Sequence, residues 1–332
     1  MKTAICDLFG IEIPIVLAPM GIAVGPKLTA AVCNAGGLGA IPLWRADNAT
    51  LRGQIREVKS LTDKPFAVNL NLNFPQEERL EACLQERVPV ISFFWGDPGG
   101  LVSQAKSAGT IVMQTVGSAQ EAQAAVGYGV DVVVAQGWEA GGHVWGTVAT
   151  MALVPAVVDA VAPVPVIAAG GIADGRGLAA ALALGASGAM IGTRFLASNE
   201  ANIHPHYRDR VLKATESDTA YLENVFDLTW PDAPHRVLRN KTVADWEAAG
   251  RPETGRRPGE GEIVANSKSH GEILRYRAYT PGADVDGDIE ALSMWAGQGV
   301  ALVKKRQPAA EIVREIHDEA SMILSRLGTM SA

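Results

Sequence analysis

The chain has 332 residues, 48% of them apolar, and a formal net charge of −7, which allows a sizeable core and, with no run of lysine and arginine, excludes the electrostatic footprint of a nucleic-acid binder. Three scattered cysteines, Cys6, Cys33 and Cys83, make neither a disulfide framework nor a four-thiolate metal site, so inert thiols in a reducing compartment are expected. Asp7 interrupts the apolar core a signal peptide needs, and the richest apolar stretch, 148–171, is broken by Asp159 and three prolines; no membrane partner and a cytoplasmic location are expected.

Eight short apolar runs read in order as strands: 13–20, 37–44, 66–73, 89–96, 110–116, 131–137, 165–172 and 189–196. Between them, residues 76–85, 118–128, 150–160 and 175–184 carry apolar side chains at helical spacing. Ser118 and Asp174 stand at N-cap positions, and Gly129 and Gly185 where helices stop. Strands alternating with helices imply parallel pairing through crossovers. A TIM (β/α)8 barrel is expected rather than a doubly wound sheet, because no Gly-x-Gly-x-x-Gly opens a helix after any strand.

The rhythm stops after Leu196. Residues 201–286 are richer in charge, proline and aromatics and read as a cap or lid inserted after the eighth strand, with 1–200 and 287–332 forming the barrel. Helical periodicity returns at 288–304, expected to supply the delayed last barrel helix, and at 309–327, a further amphipathic helix.

In such a barrel the carboxyl ends of the strands face the ligand. Asn69, Asn71 and Asn73 share one face of the third strand, and Gln114 and Gln136 end two later ones. Each amide could satisfy loop backbone; as a group they suit a ligand rich in hydrogen-bonding edges, such as a flavin. The seventh and eighth strands end in Ala169-Gly170-Gly171 and Ile191-Gly192-Thr193, where β/α barrels bind phosphate. A helix from Gly175 would add its positive end there, the alternative being that these glycines only make tight turns.

His143 is the only histidine ahead of the cap and follows Gly141 and Gly142, which would let the loop lie against a flat ring. An imidazole with a pKa near ~6.5 exchanges protons around neutrality, so His143 is the candidate acid/base, against a structural role. His204-x-His206 lacks a third ligand at a recognised spacing, so no metal is expected.

These residues resemble the class I nitronate monooxygenases and the flavin-dependent enoyl-acyl carrier protein reductases that share their barrel. The resemblance is carried by Leu17-Ala18-Pro19-Met20, Asn69, the string from Gln136 through Glu139-Ala140-Gly141-Gly142-His143, the run 167–177, and Ile191-Gly192-Thr193-Arg194-Phe195. It implies a noncovalent FMN, its ring over Ala18, Pro19 and Met20 and its phosphate at Gly170, Gly171, Gly192 and Thr193. It further implies that His143 acts on substrate, with a nitronate and O2 as small-molecule partners and a carbonyl compound and nitrite as products. Gln136, where the reductases carry an acid, and the segment 230–237 favour the monooxygenase. The alternatives are an NAD(P)H-dependent reductase and a noncatalytic barrel binding a phosphorylated ligand; a homodimer is admitted. Val144-Trp145 departs from the monooxygenase pattern: Trp145 either narrows the substrate pocket or packs beneath the lid, and Trp295 either closes the substrate side or belongs to the core.

Overall fold

The computed structural model describes residues 1–330. Eight parallel strands form the central sheet: β1 (Ile15–Leu17), β2 (Gly39–Pro42), β3 (Phe66–Asn71), β4 (Val90–Phe94), β5 (Ile111–Val116), β6 (Val132–Gln136), β7 (Val166–Ala169) and β8 (Gly188–Ile191). Their order, β1-β8-β7-β6-β5-β4-β3-β2, closes where Leu17 N–H donates to Leu38 O at 2.8 Å and Leu38 N–H to Ile15 O at 2.9 Å. The molecule is a β/α barrel, as the alternation of apolar runs and helical segments predicts.

Side-chain parity sets what faces the axis. Val16, Ala40, Ala67, Val90, Met113, Val132, Val134, Ile167 and Met190 form one buried inner cluster, while Ile41, Val68, Leu70, Ile91, Val112, Val133 and Ala168 pack outward against the helices. An N-terminal helix, Ala4–Phe9, adds Ile5, Cys6 and Phe9 to the inner cluster. A Cβ on Gly188, at the start of β8, would stand 2.5 Å from Ile5 Cδ1. The helix thus plugs the end where the strands begin and leaves their carboxyl ends open.

The helices Glu77–Gln85, Ala119–Gly127, Thr150–Val161 and Gly175–Ala183 lie where helical spacing places them. The Ser118 and Asp174 side chains accept backbone N–H groups of the first turns they precede. Two expectations are corrected. The eighth strand stops at Ile191, and Thr193–Leu196 is a short helix instead of its continuation. Residues 288–304 form two short 3₁₀ turns, Ile289–Ala291 and Gln298–Leu302, because Gly297 and Gly299 lie against the backbones of Glu139–Gly141 and Gly171. The last barrel helix is Ala309–Met330, whose Ile312, Val313, Ile316 and Ala320 pack with Leu28, Val32, Leu178 and Ala179.

The segment 201–286 contributes a helix, Pro205–Lys213, an antiparallel pair, Thr219–Leu222 with His235–Leu238, a second helix, Lys241–Ala248, and a small sheet of Ile263–Ser267, Gly271–Leu274 and Val285–Gly287. The strand His235–Leu238 also pairs with a two-residue strand, Gly142–His143, placing His235 opposite His143. Among the described residues no helix is long and apolar enough to cross a membrane.

Candidate active site

A cavity of about 850 Å³ occupies the carboxyl end of the barrel, and each of the eight strands contributes a residue at or just beyond its end. That size lies within the range of cofactor and ligand pockets. Ala18, Pro19, Met20, Asn69, Gln136, Gly141, Gly142, His143, Ala169, Gly170, Gly171, Gly192, Thr193 and Trp295 all reach its wall.

Two expected residues do not. Met113 and Thr115 of β5 face inward, so Gln114 between them points outward, where its amide donates to Gly96 O at 3.0 Å. Thr115 takes its place on the wall. Trp145 packs its ring on Trp95 with centroids 4.8 Å apart and donates its indole N–H to Glu121 at 2.8 Å, away from the cavity. The amides that do reach the wall are partly engaged. Asn69 donates to Ser92 O at 3.1 Å. Gln136 donates to His143 O at 3.2 Å and accepts Trp145 N–H at 2.9 Å, so it anchors the loop that carries the histidine.

The glycine loops after β7 and β8 leave a patch of unengaged donors. The backbone N–H groups of Gly171, Ile172, Gly192 and Thr193 have no hydrogen-bond partner among the described residues. The Thr193 hydroxyl accepts Gly297 N–H at 3.0 Å, which leaves its own proton free to donate. A cluster of unmatched donors at this end of a β/α barrel suits an oxyanion such as a phosphate. The helix Gly175–Ala183 does not join them: Asp174 accepts its Arg176 and Gly177 amides, and Glu319 accepts Gly175 N–H at 2.7 Å. Its positive end is already neutralised by two carboxylates from the chain.

His143 lines the same cavity from the loop after β6. Its imidazole stacks on Trp230 with centroids 3.8 Å apart and lies 5.1 Å from Trp295 and 5.8 Å from His235. Its Nε2 is buried and has no hydrogen-bond partner among the described residues. Burial, then His235, then Arg45 hold its pKa well below the ordinary value of 6.5, so the ring is neutral near pH 7. His235 is neutral as well: burial pushes it down to about 4. Its Nδ1 lies 2.9 Å from Ala233 O and its Nε2 accepts Phe226 N–H at 3.4 Å, which fixes the proton on Nδ1.

The glycines before His143 serve a purpose the sequence reading did not assign. A Cβ on Gly141 would lie 2.3 Å from Gly297 N and 2.4 Å from Ala296 C. Only a bare Cα lets the loop pack on the 296–297 backbone, while Gly142 takes φ +73 in open space. Gly141→Ala therefore forces the two backbones apart and should cost about 1–3 kcal/mol, as overpacking does; urea unfolding of the two proteins measures it.

Sequence reasoning missed the aromatic wall. Trp44, Phe94 and Trp230 line the cavity beside Trp295, and Trp230 makes ring contacts with Trp44, Phe94 and Trp95 as well as with His143. These residues come from separate segments with no shared local pattern. Arg45 and Arg277 reach the wall too. His204 and His206 are not part of the site: His204 caps the helix Pro205–Lys213, and His206 lies 2.5 Å from Glu290. Among the described residues no three His, Cys, Asp or Glu side chains gather as a metal site.

A model of the nitronate monooxygenase family matches residues 2–78 and 71–319. The nitronate monooxygenase of Paraburkholderia phytofirmans is 31% identical, with 98% of this chain and 97% of that one covered. A Mycobacterium tuberculosis protein named (3aS,4S,5R,7aS)-5-hydroxy-7a-methyl-1-oxo-octahydro-1H-indene-4-carboxyl-CoA dehydrogenase is 40% identical over 76% of this chain and 70% of its own. The structure of FabK from Thermotoga maritima superposes with a TM-score of 0.83 at 35% identity, covering 99% of both chains. With the barrel, the glycine loops and the Glu-Ala-Gly-Gly-His string in place, the chain belongs to the nitronate monooxygenase family of oxidoreductases.

Proposed function

We propose that this protein is an FMN-dependent oxidoreductase that oxidises alkyl nitronates with O2 to carbonyl compounds and nitrite. The observation that carries the reading is His143, a neutral imidazole with an unpaired Nε2 at the cavity whose glycine loops offer four unengaged amides. The Gly171, Gly192 and Thr193 amides and the Thr193 hydroxyl would hold the phosphate of FMN, and Ala18, Pro19, Met20 and Asn69 on the same wall would contact its ring system. When bound, FMN supplies the two-electron redox chemistry.

The chain's own residues then have defined work. Gln136 fixes the His143 backbone from β6, and the strand His235–Leu238 fixes it from the other side. Because the ring is neutral, Nε2 can accept the proton from the carbon beside a nitro group; a nitronate, already deprotonated, does not need that step. Trp230 and Trp295 wall the same place and keep water from it. Trp145 narrows nothing in this arrangement, whereas Trp295 closes the substrate side and ties its indole N–H to Thr280 at 3.0 Å.

A second reading, a reductase or dehydrogenase of acyl thioesters, is favoured by the CoA dehydrogenase at 40% identity and by FabK at 35%. Anaerobic mixing separates the two. An alkyl nitronate should bleach the flavin absorbance of the purified protein while NADH and NADPH leave it unchanged. Rapid bleaching by NADH or NADPH with none by nitronates would replace the first reading by the second.

A further inference from the structure

Two arginines on the cavity wall have no counter-charge. Arg45 follows β2 and Arg277 lies after the strand Gly271–Leu274, and both line the cavity that holds His143. Neither forms an ion pair among the described residues, whereas Arg210, Arg239, Arg257 and Arg275 in nearby segments each hold a carboxylate. Among the described residues Glu57 is the one carboxylate on the wall, and it pairs with neither. The chain carries 36 acidic against 29 basic side chains, so two unmatched guanidiniums at one cavity are not a by-product of excess positive charge.

Both are held in place without being neutralised. Arg45 donates to Thr229 O at 2.9 Å and lies over the Trp44 and Phe74 rings, 4.5 and 4.9 Å from their centroids. Arg277 donates to Glu272 O at 3.2 Å and sits 5.6 Å from the Tyr279 ring centroid. Desolvation and then Arg277 lower the Arg45 pKa, and Arg45 contributes in turn to lowering that of His143. Two unneutralised positive charges on one cavity wall favour an anion there, and guanidinium forks match the paired oxygens of carboxylate and phosphate.

We propose that Arg45 and Arg277 form an oxyanion subsite at this cavity, taking the phosphate or carboxylate oxygens of a substrate whose reacting carbon lies at His143. The assignment rests on the reading of His143 given above. The oxygens have two sources: a carboxylate on a small nitronate, or the phosphates of a CoA thioester or nicotinamide dinucleotide.

The test uses the holoenzyme and two readouts. Tryptophan fluorescence, to which Trp44 beneath Arg45 contributes, is titrated with CoA, NADP⁺ and succinate in the wild type, Arg45→Gln and Arg277→Gln. Separately, KM is compared for propionate 3-nitronate and for propyl-1-nitronate, which lacks the carboxylate. At least one anion should bind the wild type saturably and bind each Gln variant about tenfold or more weakly, the worth of a hydrogen bond to a charged group. CoA or NADP⁺ doing so identifies phosphate, and succinate, with a matching shift in the ratio of the two KM values, identifies carboxylate. Arg45→Lys, which keeps the charge, should recover part of the loss and guards against a folding defect. Equal anion binding by wild type and both Gln variants, or none by the wild type, overturns the subsite. Arginine-dependent anion binding without any nitronate turnover leaves the subsite standing and removes the proposed reaction.

Discussion

His143→Ala should retain bound flavin yet lose turnover of neutral nitroalkanes by about 10²-fold or more, the usual worth of a positioned acid/base. The side chain's own hydrogen-bonding atoms tie nothing together: Nε2 has no partner, and the loop is fixed through Gln136, Pro234 O and the pairing with His235 and Arg236. Truncation therefore removes the base and the ring stacked on Trp230 while the backbone anchors remain. Nitronates, needing no proton removed, should suffer less; an equal loss on both substrates would instead assign His143 to charge stabilisation. Because its pKa is pushed below 6.5 by burial, His235 and Arg45, the rate of proton removal should stay level as pH falls from 8 through 6.5. A fall centred on 6.5 would contradict the placement of the ring.

The second large effect concerns stability. His235 is fully buried with a folded pKa of about 4 against an ordinary value of 6.5. Between those values the unfolded chain binds the proton that the folded chain refuses, so stability falls as pH drops below 6.5 and this contribution levels off below about 4. A shift of that size corresponds to about 3 kcal/mol at 1.36 kcal/mol per pKa unit. His143, lowered in the same sense, steepens the loss. His235→Gln cannot titrate, so the stability difference between wild type and variant should change by about 3 kcal/mol between pH 7 and pH 4 in urea unfolding. A pH-independent difference would mean that His235 is not buried neutral. The effect bears on function because His235 stands opposite His143 in the same sheet.

Most of the barrel could be read from residues alone because each strand is an apolar run between turn residues and each crossover helix repeats its own spacing. Parity was readable where the polar residues declared it: in β3, Val68 and Leu70 face the helices and Asn69 faces the cavity. It was not readable in β5, where Gln114 looks like a ligand residue yet belongs to the outward face with Val112 and Val116. The helical pattern at 288–304 misled because its apolar residues are buried by turns whose path is set by Gly297 and Gly299 against distant backbone. The segment 201–286 builds strands of three to five residues, too short for a period to emerge. The Trp44, Phe94, Trp230 and Trp295 wall, and the arginines beside it, carry no local signature either. A wall assembled from four places in the chain exists only once the barrel has closed.

Unengaged donors after β7 and β8 are proposed to hold the phosphate of a flavin whose ring lies within reach of His143. The most direct test is the binding of FMN and of riboflavin to the purified chain, followed by absorbance and equilibrium dialysis. FMN should bind in equimolar amount and riboflavin, lacking the phosphate, far more weakly, with Gly192→Asp repelling FMN selectively. A chain that takes up no FMN, or binds both flavins equally well, would contradict the account.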